Sequence, residues 1–409
     1  MVPMPRKFLL IALTYVFLAG CASQPTLISP PASYAPTLQT VVTPTAAILP
    51  EPLPTVTPDS RFKRQCLPLP DNETDLKDVA SGAILLEQVV PDVSYQTVIS
   101  TDIQTGREYK LFADTKSGLN LSSAISPDRK MIALMEVVFN DKAVRIRNIL
   151  WVFNSQAKIL SKITFDQTNL GSLRWLDNER LLIDTDKYGT LLLLNPFTKE
   201  QRVIADELPN LYRHFQTWLW WPVVYSPNLE WVAYYSENDG MTGPVVYDLA
   251  KKQVLWKFGK MGGMIGDTAV WSLDGKEVVF NGGNPTDGYQ LYIINISGQV
   301  KAVLDESLPH QAFAFSWSPD RNFIAFWNND RLMVYDRQID WVFDTCILGS
   351  GGGGYFTPVW SPDSQQLMAR TYSTPGILFL VDWNKKVAYK IKEDKSTQGI
   401  IYGWMDSLP

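Results

Sequence analysis

The stretch SWSPDRNFIAFW, residues 316–327, sets Trp317, Ser318, Pro319 and Asp320 directly ahead of an apolar run. Proline fixes φ at the second position of a turn, and short Ser and Asp side chains bond nearby backbone amides. The four residues therefore read as a tight turn that ends one strand and starts the next. Nearly the same arrangement recurs as Ile125-Ser126-Pro127-Asp128, Tyr225-Ser226-Pro227-Asn228, Trp271-Ser272-Leu273-Asp274 and Trp360-Ser361-Pro362-Asp363. Shortened copies stand at Trp175-Leu176-Asp177 and Trp404-Met405-Asp406. Successive anchors at 125, 175, 225, 271, 317, 360 and 404 lie 50, 50, 46, 46, 43 and 44 residues apart.

A second mark keeps step with the first. Asp102, Asn154, Asn195, Asp248, Asn295, Asp336 and Asp382 each close an apolar run such as PVVYD, RLMVYD or ILFLVD. Each opens a short turn before another strand. The distance from each mark to the next anchor is 23, 21, 30, 23, 22, 24 and 22 residues. Two marks repeating seven times describe a four-stranded antiparallel meander of propeller-blade length.

One meander leaves two apolar faces uncovered, and stacking seven around an axis buries both faces of each, with Trp175, Trp271, Trp317 and Trp360 as wedges between neighbours. The expected fold is all-β: a seven-bladed β-propeller of four-stranded antiparallel blades. Before the first anchor the chain offers three strands, about 83–88, 94–101 and 107–112, without an inner one. The tail GIIYGWM, 399–405, is an inner strand without successors. The carboxyl-terminal strand is expected to complete the amino-terminal blade and so close the ring. These residues resemble the bacterial TolB-type, WD-like propeller repeat, whose signature is a Trp-Ser-Pro-Asp-Gly turn. The resemblance covers roughly 79–409 and implies the same fold, although only Asp274 is followed by Gly. Propellers host binding, scaffolding and catalysis alike, so the resemblance says little about function.

Composition fits this reading. The chain has 409 residues, 45% hydrophobic and 12% aromatic, with 14 Trp, 17 Tyr and 18 Phe among abundant β-branched residues. The net charge of −5 and the scattered Lys and Arg make nucleic acid an unsuitable partner.

Arg6 and Lys7 precede an apolar run over 8–18 that is too short to span a bilayer and reads as a secretory h-region. Leu18-Ala19-Gly20-Cys21 resembles the lipobox of bacterial lipoproteins. That resemblance implies a signal peptide over 1–20, cleavage before Cys21 and acylation of its thiol, with the membrane as partner through that lipid. Residues 22–60 hold nine Pro and seven Thr with two charges, Glu51 and Asp59, so 21–65 is assigned to a disordered tether and 66–409 to the propeller. As polyproline II the tether reaches up to about 120 Å. The expected location is the cell envelope, extracytoplasmic. Outside the cytoplasm Cys66 and Cys346 are free to form a disulfide; as two buried thiols they would equally pack as small hydrophobes.

The signature turns occupy one face of the ring, while the second-to-third and blade-to-blade loops share the other, beside the channel. The interval after Asn195 is 30 where the others run 21 to 24, and the inserted stretch crowds Tyr212, His214, Phe215, Trp218 and Trp220 together. Aromatics at a channel mouth stack on sugars or grip peptides, and equally cap a core. Gly-rich stretches at 259–267, 281–288 and 349–354 lack the Lys-Ser/Thr pair and helix of a phosphate loop and read as flexible lids or positive-φ turns. Asp239, Asp287 and Tyr355 complete the ligand-binding candidates on this face. The spacing of the acids fits no calcium loop, and His214 and His310 lack metal-ligand spacing, so no metal and no cofactor is expected. No Gly-x-Ser-x-Gly elbow or His-Glu-x-x-His is present.

The leading expectation is a non-catalytic, lipid-anchored propeller that binds a protein, peptide or glycan through its long-loop face. The alternatives are a carbohydrate-active lyase or glycoside hydrolase with its site at the channel mouth, which a pair of converging carboxylates would mark, and a TolB-like envelope assembly factor.

Overall fold

A computed structural model describes residues 62–406 apart from 65, 90–95, 114–121, 141, 143, 167–169, 186–190, 205–207, 210–222, 239–240, 258–269, 285–287, 303–311, 329, 350–355, 372–376 and 393–399. The chain forms a seven-bladed β-propeller in which four strands of each of blades 2 to 7 follow chain order from the innermost outward. Blade 2 comprises Ser122–Ile125, Met131–Phe139, Arg145–Asn154 and Ile159–Phe165; blade 3 comprises Leu170–Trp175, Leu181–Thr185, Leu191–Leu194 and Gln201–Ile204. Blade 4 is built from Val224–Tyr225, Trp231–Asn238, Met241–Asp248 and Gln253–Lys257, and blade 5 from Val270–Trp271, Glu277–Asn284, Gly288–Asn295 and Val300–Ala302. Ala312–Trp317, Phe323–Asn328, Arg331–Asp336 and Trp341–Leu348 make blade 6; Val359–Trp360, Gln366–Arg370, Leu378–Asp382 and Val387–Lys390 make blade 7.

Ring closure is as expected. Ile400–Met405 is the inner strand of blade 1 and pairs antiparallel with Ala83–Val89, ahead of Gln96–Asp102 and Glu108–Ala113. At this seam Gly403 faces the inner strand of blade 2 so closely that an added Cβ would sit 1.8 Å from Ile125 Cδ1. A larger residue there would have to displace the Ile125 side chain.

Both repeat marks act through their side chains. In the five full signature turns the Ser hydroxyl donates to the Asp or Asn two residues on, at 2.5–2.7 Å. The same oxygen accepts the amide five residues on, at 2.9–3.1 Å. These Ser side chains are buried, so each hydroxyl satisfies a strand-start amide that water cannot reach. The fourth turn residue adopts positive φ, as Arg129 (62°), Leu229 (60°), Gly275 (67°), Arg321 (66°) and Ser364 (65°). Glycine suits this conformation best, and four blades hold a larger residue there instead. At the second mark, all seven Asp or Asn carboxylate or amide oxygens accept a backbone N–H two or three residues on.

Seven apolar clusters fill the interfaces between neighbouring blades. Trp175 is half-buried, whereas Trp271, Trp317 and Trp360 are buried. The four indoles do more than wedge: each Nε1 donates to a carbonyl on the preceding blade's inner strand, namely Ala124, Val224, Val270 and Ser316, at 2.8–3.1 Å. Each such bond contributes about 1 kcal/mol beyond the area buried. At the seam Trp404 departs from this rule and donates to Ser81 O at 2.8 Å.

Two features differ from expectation. Blade 6 has a fifth strand: Phe62–Arg64 pairs parallel with Val342–Asp344 on its outer edge, so the folded body starts upstream of the boundary placed at 66. Three residues are too few to show alternation, and their strand character comes from the edge they cover. From there the chain runs as a strap across blades 6 and 7. Cys66 is disulfide-bonded to Cys346, Leu67 is buried beside Trp327, Trp360 and Trp383, Thr74 bridges Ile391, and Gln366 Nε2 donates to Val79 O at 2.7 Å.

The second difference concerns the stretch 281–288, read as a flexible lid or positive-φ turn. Asn281–Asn284 continues the second strand of blade 5 and pairs through Asn284↔Gly288. Glycine lowers strand propensity, but the ladder to Gly288–Asn295 carries it. Blade 4 likewise pairs up to Asn238↔Met241, so these two second-to-third connections are hairpins of three and two residues.

Candidate functional site: the central channel

Residues of the inner strands of several blades border a cavity of about 440 Å³. It is lined by Ser316 on blade 6 and by Ser123, Ile125 and Arg129 on blade 2, which are separated by blades 7 and 1. Blades that do not adjoin share a cavity across the centre, so this is the channel. Apolar walls come from Ile125, Val359 and Ile401, with Phe356 and Pro358 from the segment entering blade 7. Hydroxyls come from Ser123, Ser316 and the exposed Thr357. Its volume lies in the range of small-ligand sites, roughly 300–1,000 Å³.

Arg129 is the one charged group among the described lining residues. It stands at the positive-φ position of the blade 2 signature turn. Burial pushes its guanidinium below the ordinary arginine value, partly opposed by the charge of Asp406. Asp406 follows the closing strand, and its amide donates to Arg129 O at 3.2 Å. In blade 6 the equivalent residue, Arg321, forms an ion pair with Asp274, the signature acid of the preceding blade. Asp406 stands in that same relation to Arg129, yet no ion pair joins them.

A second cavity of about 240 Å³ opens between blades 5 and 6. Its charges neutralise one another: Arg337 pairs with Glu277 at 2.6 Å and Lys301 with Asp340 at 2.6 Å. Among the described residues no three His, Cys, Asp or Glu side chains converge as metal ligands would, and no helix is long and apolar enough to cross a membrane.

Tyr212, His214, Phe215, Trp218, Trp220, Asp239, Asp287 and Tyr355 lie outside the described residues, as does Cys21. The structure brings together a different set. Arg129, Ser123, Ser316 and Ile401 escape a reading based on long loops, because three sit in strands and the fourth in a signature turn. The signal available for Arg129 is its place in the repeat: a long cation after the turn Asp, where the TolB-type signature has Gly.

No protein-family model and no curated protein matches the chain. Among solved structures it is similar to TolB from Acinetobacter baumannii at 15% identity, covering 79% of this chain and 82% of that one, with a TM-score of 0.44. It is also similar to the Myceliophteria thermophila Cps50 (Swd1) beta-propeller domain at 13% identity, 74% and 98% coverage and a TM-score of 0.46. Kuenenia stuttgartiensis hydrazine synthase aligns at 13% identity, with 79% and 98% coverage and a TM-score of 0.44. The assignment of this fold rests on the seven paired sheets themselves.

Proposed function

We propose that the protein is a non-catalytic, lipid-anchored extracytoplasmic propeller that binds a protein, peptide or glycan where its channel opens. The observation that carries this reading is the axial cavity, with apolar walls, three hydroxyls and a single cation. Such a lining suits recognition of a ligand end by shape and a few polar contacts. The Cys66–Cys346 disulfide supports an oxidising, extracytoplasmic compartment. The lipobox-like sequence ending at Cys21 supports the anchor.

The test is a screen of peptide and glycan arrays with the full chain carrying Cys21→Ser, repeated with Thr357→Trp and with the pair Trp218→Ala and Trp220→Ala. Thr357 is exposed, so a large ring there narrows the channel without disturbing the core. Binding lost on narrowing supports the reading; binding that survives both changes refutes it. Membrane partitioning of wild type and Cys21→Ser tests the anchor separately.

A further inference from the structure

We propose that the channel is a carboxylate site in which Arg129 binds the anionic end of an apolar ligand. This deepens the proposed binding function and rests on the channel being its site. An arginine carries five N–H donors in a planar fork and stays charged at physiological pH. Burying one without acceptors is costly, and proteins compensate with a partner anion or hydrogen bonds. Arg129 is half-buried, and among the described residues no acceptor takes a hydrogen bond from its side chain.

The comparison within the molecule is the strongest part of the argument. Arg321 occupies the same turn position and satisfies its fork on Asp274. Arg129 has Asp406 in the same relation and does not pair with it, lining the cavity instead. Arg129 thus borders a space whose remaining described walls are uncharged, where its fork is left available to an incoming anion.

The rest of the cavity chooses among anions. A single cation, partly offset by the nearby charge of Asp406, matches at most one negative charge, so a monoanion fits better than a phosphate dianion. A carboxylate matches the guanidinium fork with two parallel hydrogen bonds. Ile125, Val359 and Ile401 then call for an aliphatic body behind the charge. A free fatty-type acid and the carboxyl terminus of a peptide share this chemistry.

The experiment measures thermal stabilisation and titration calorimetry on the full chain carrying Cys21→Ser. The probes are hexanoate, hexanamide, and an Ala-Ala-Ala-Leu-Leu peptide with a free or an amidated carboxyl end. Wild type should bind hexanoate or the free-ended peptide at least about tenfold more tightly than the matching amide, the usual effect of losing a charged hydrogen bond. Preference for hexanoate over the peptide, or the reverse, assigns the source. Arg129→Gln should abolish the discrimination, Arg129→Lys should retain part of it, and Thr357→Trp, which leaves Arg129 in place, should weaken both acids. Acid and amide binding equally, or neither binding up to its solubility limit, overturns the carboxylate site. An array ligand still lost on narrowing the channel would leave the broader binding function standing in that case.

Discussion

The disulfide between Cys66 and Cys346 closes a chain segment of 280 residues, and this fixes how much it should matter. Cross-linking two such distant points removes loop-closure entropy from the unfolded chain; the chain-entropy relation gives about 5.6 kcal/mol at 25 °C for a loop of this length. The native-state contacts beside the bond persist without it, since Leu67 N donates to Thr345 O at 3.2 Å and the Leu67 side chain stays buried among tryptophans. The loss on replacing both cysteines should therefore come almost wholly from the unfolded state. With an unfolding entropy of about 2 cal/mol/K per residue over the body spanning 62–406, the melting temperature should fall by about 8 °C. The assay is thermal unfolding of the Cys66→Ser, Cys346→Ser double variant against wild type, each followed by near-ultraviolet circular dichroism. Wild type under reductant should reproduce the variant. A shift within a degree or two refutes the reasoning, because it means that the strap detaches before the ring unfolds and the cross-link restrains nothing in the main transition. Hydrogen exchange at the amides of Thr74 and Lys392, which bond Lys390 O and Thr74 O, would then show the strap opening first.

Gly403→Ala should destabilise the ring by about 1–3 kcal/mol through overpacking against Ile125, measured by urea unfolding. Adding Ile125→Ala should make the pair less harmful than the two single costs added together, because the remaining Ile125 Cβ lies 3.5 Å away; strict additivity contradicts the proposed clash. Asp382 titrates below the ordinary carboxylate range: burial works against its charge, but hydrogen bonds from Lys385 and Gln366 outweigh it. A folded pKa below the unfolded one adds stability that is full above pH ~4 and is lost as pH falls through the lower, folded value. The stability gap between wild type and Asp382→Asn should accordingly be open at pH 7 and close in acid, and a gap independent of pH contradicts the assignment.

The architecture was legible because it is repeated. A turn that uses Ser126, Ser226, Ser272, Ser318 and Ser361 in the same two hydrogen bonds must leave the same letters at the same spacing, and seven copies make the spacing readable without coordinates. The closing strand was legible for a related reason: Ile400–Met405 carries the anchor Trp404 but has no second mark after it. The strap left no such trace. Its strand is three residues long, and it is held by an edge and a cysteine whose partner lies 280 residues away, so only tertiary contacts define it. The glycine-rich hairpin of blade 5 misled for the opposite reason, since local propensity argued for a loop and an eight-residue ladder overrode it.

The channel was the hardest part to read, and the two arginines show why. Arg129 and Arg321 hold the same position in the same turn with nearly equal φ, 62° and 66°, so no local property separates them. What separates them is the preceding blade. For Arg321 that blade is its neighbour in the chain, and Asp274 lies 47 residues back, one repeat away. For Arg129 it is the sector sewn together from both ends of the molecule, and the corresponding acid is Asp406, which directly follows the closing strand. Ring closure thus changes the electrostatic surroundings of one repeat position out of seven. A repeat-by-repeat reading assumes that each unit meets the same neighbour, and this assumption fails at the seam. In a closed ring whose other inter-blade contacts are set by periodicity, the seam is where a side chain released from that periodicity can face the axis.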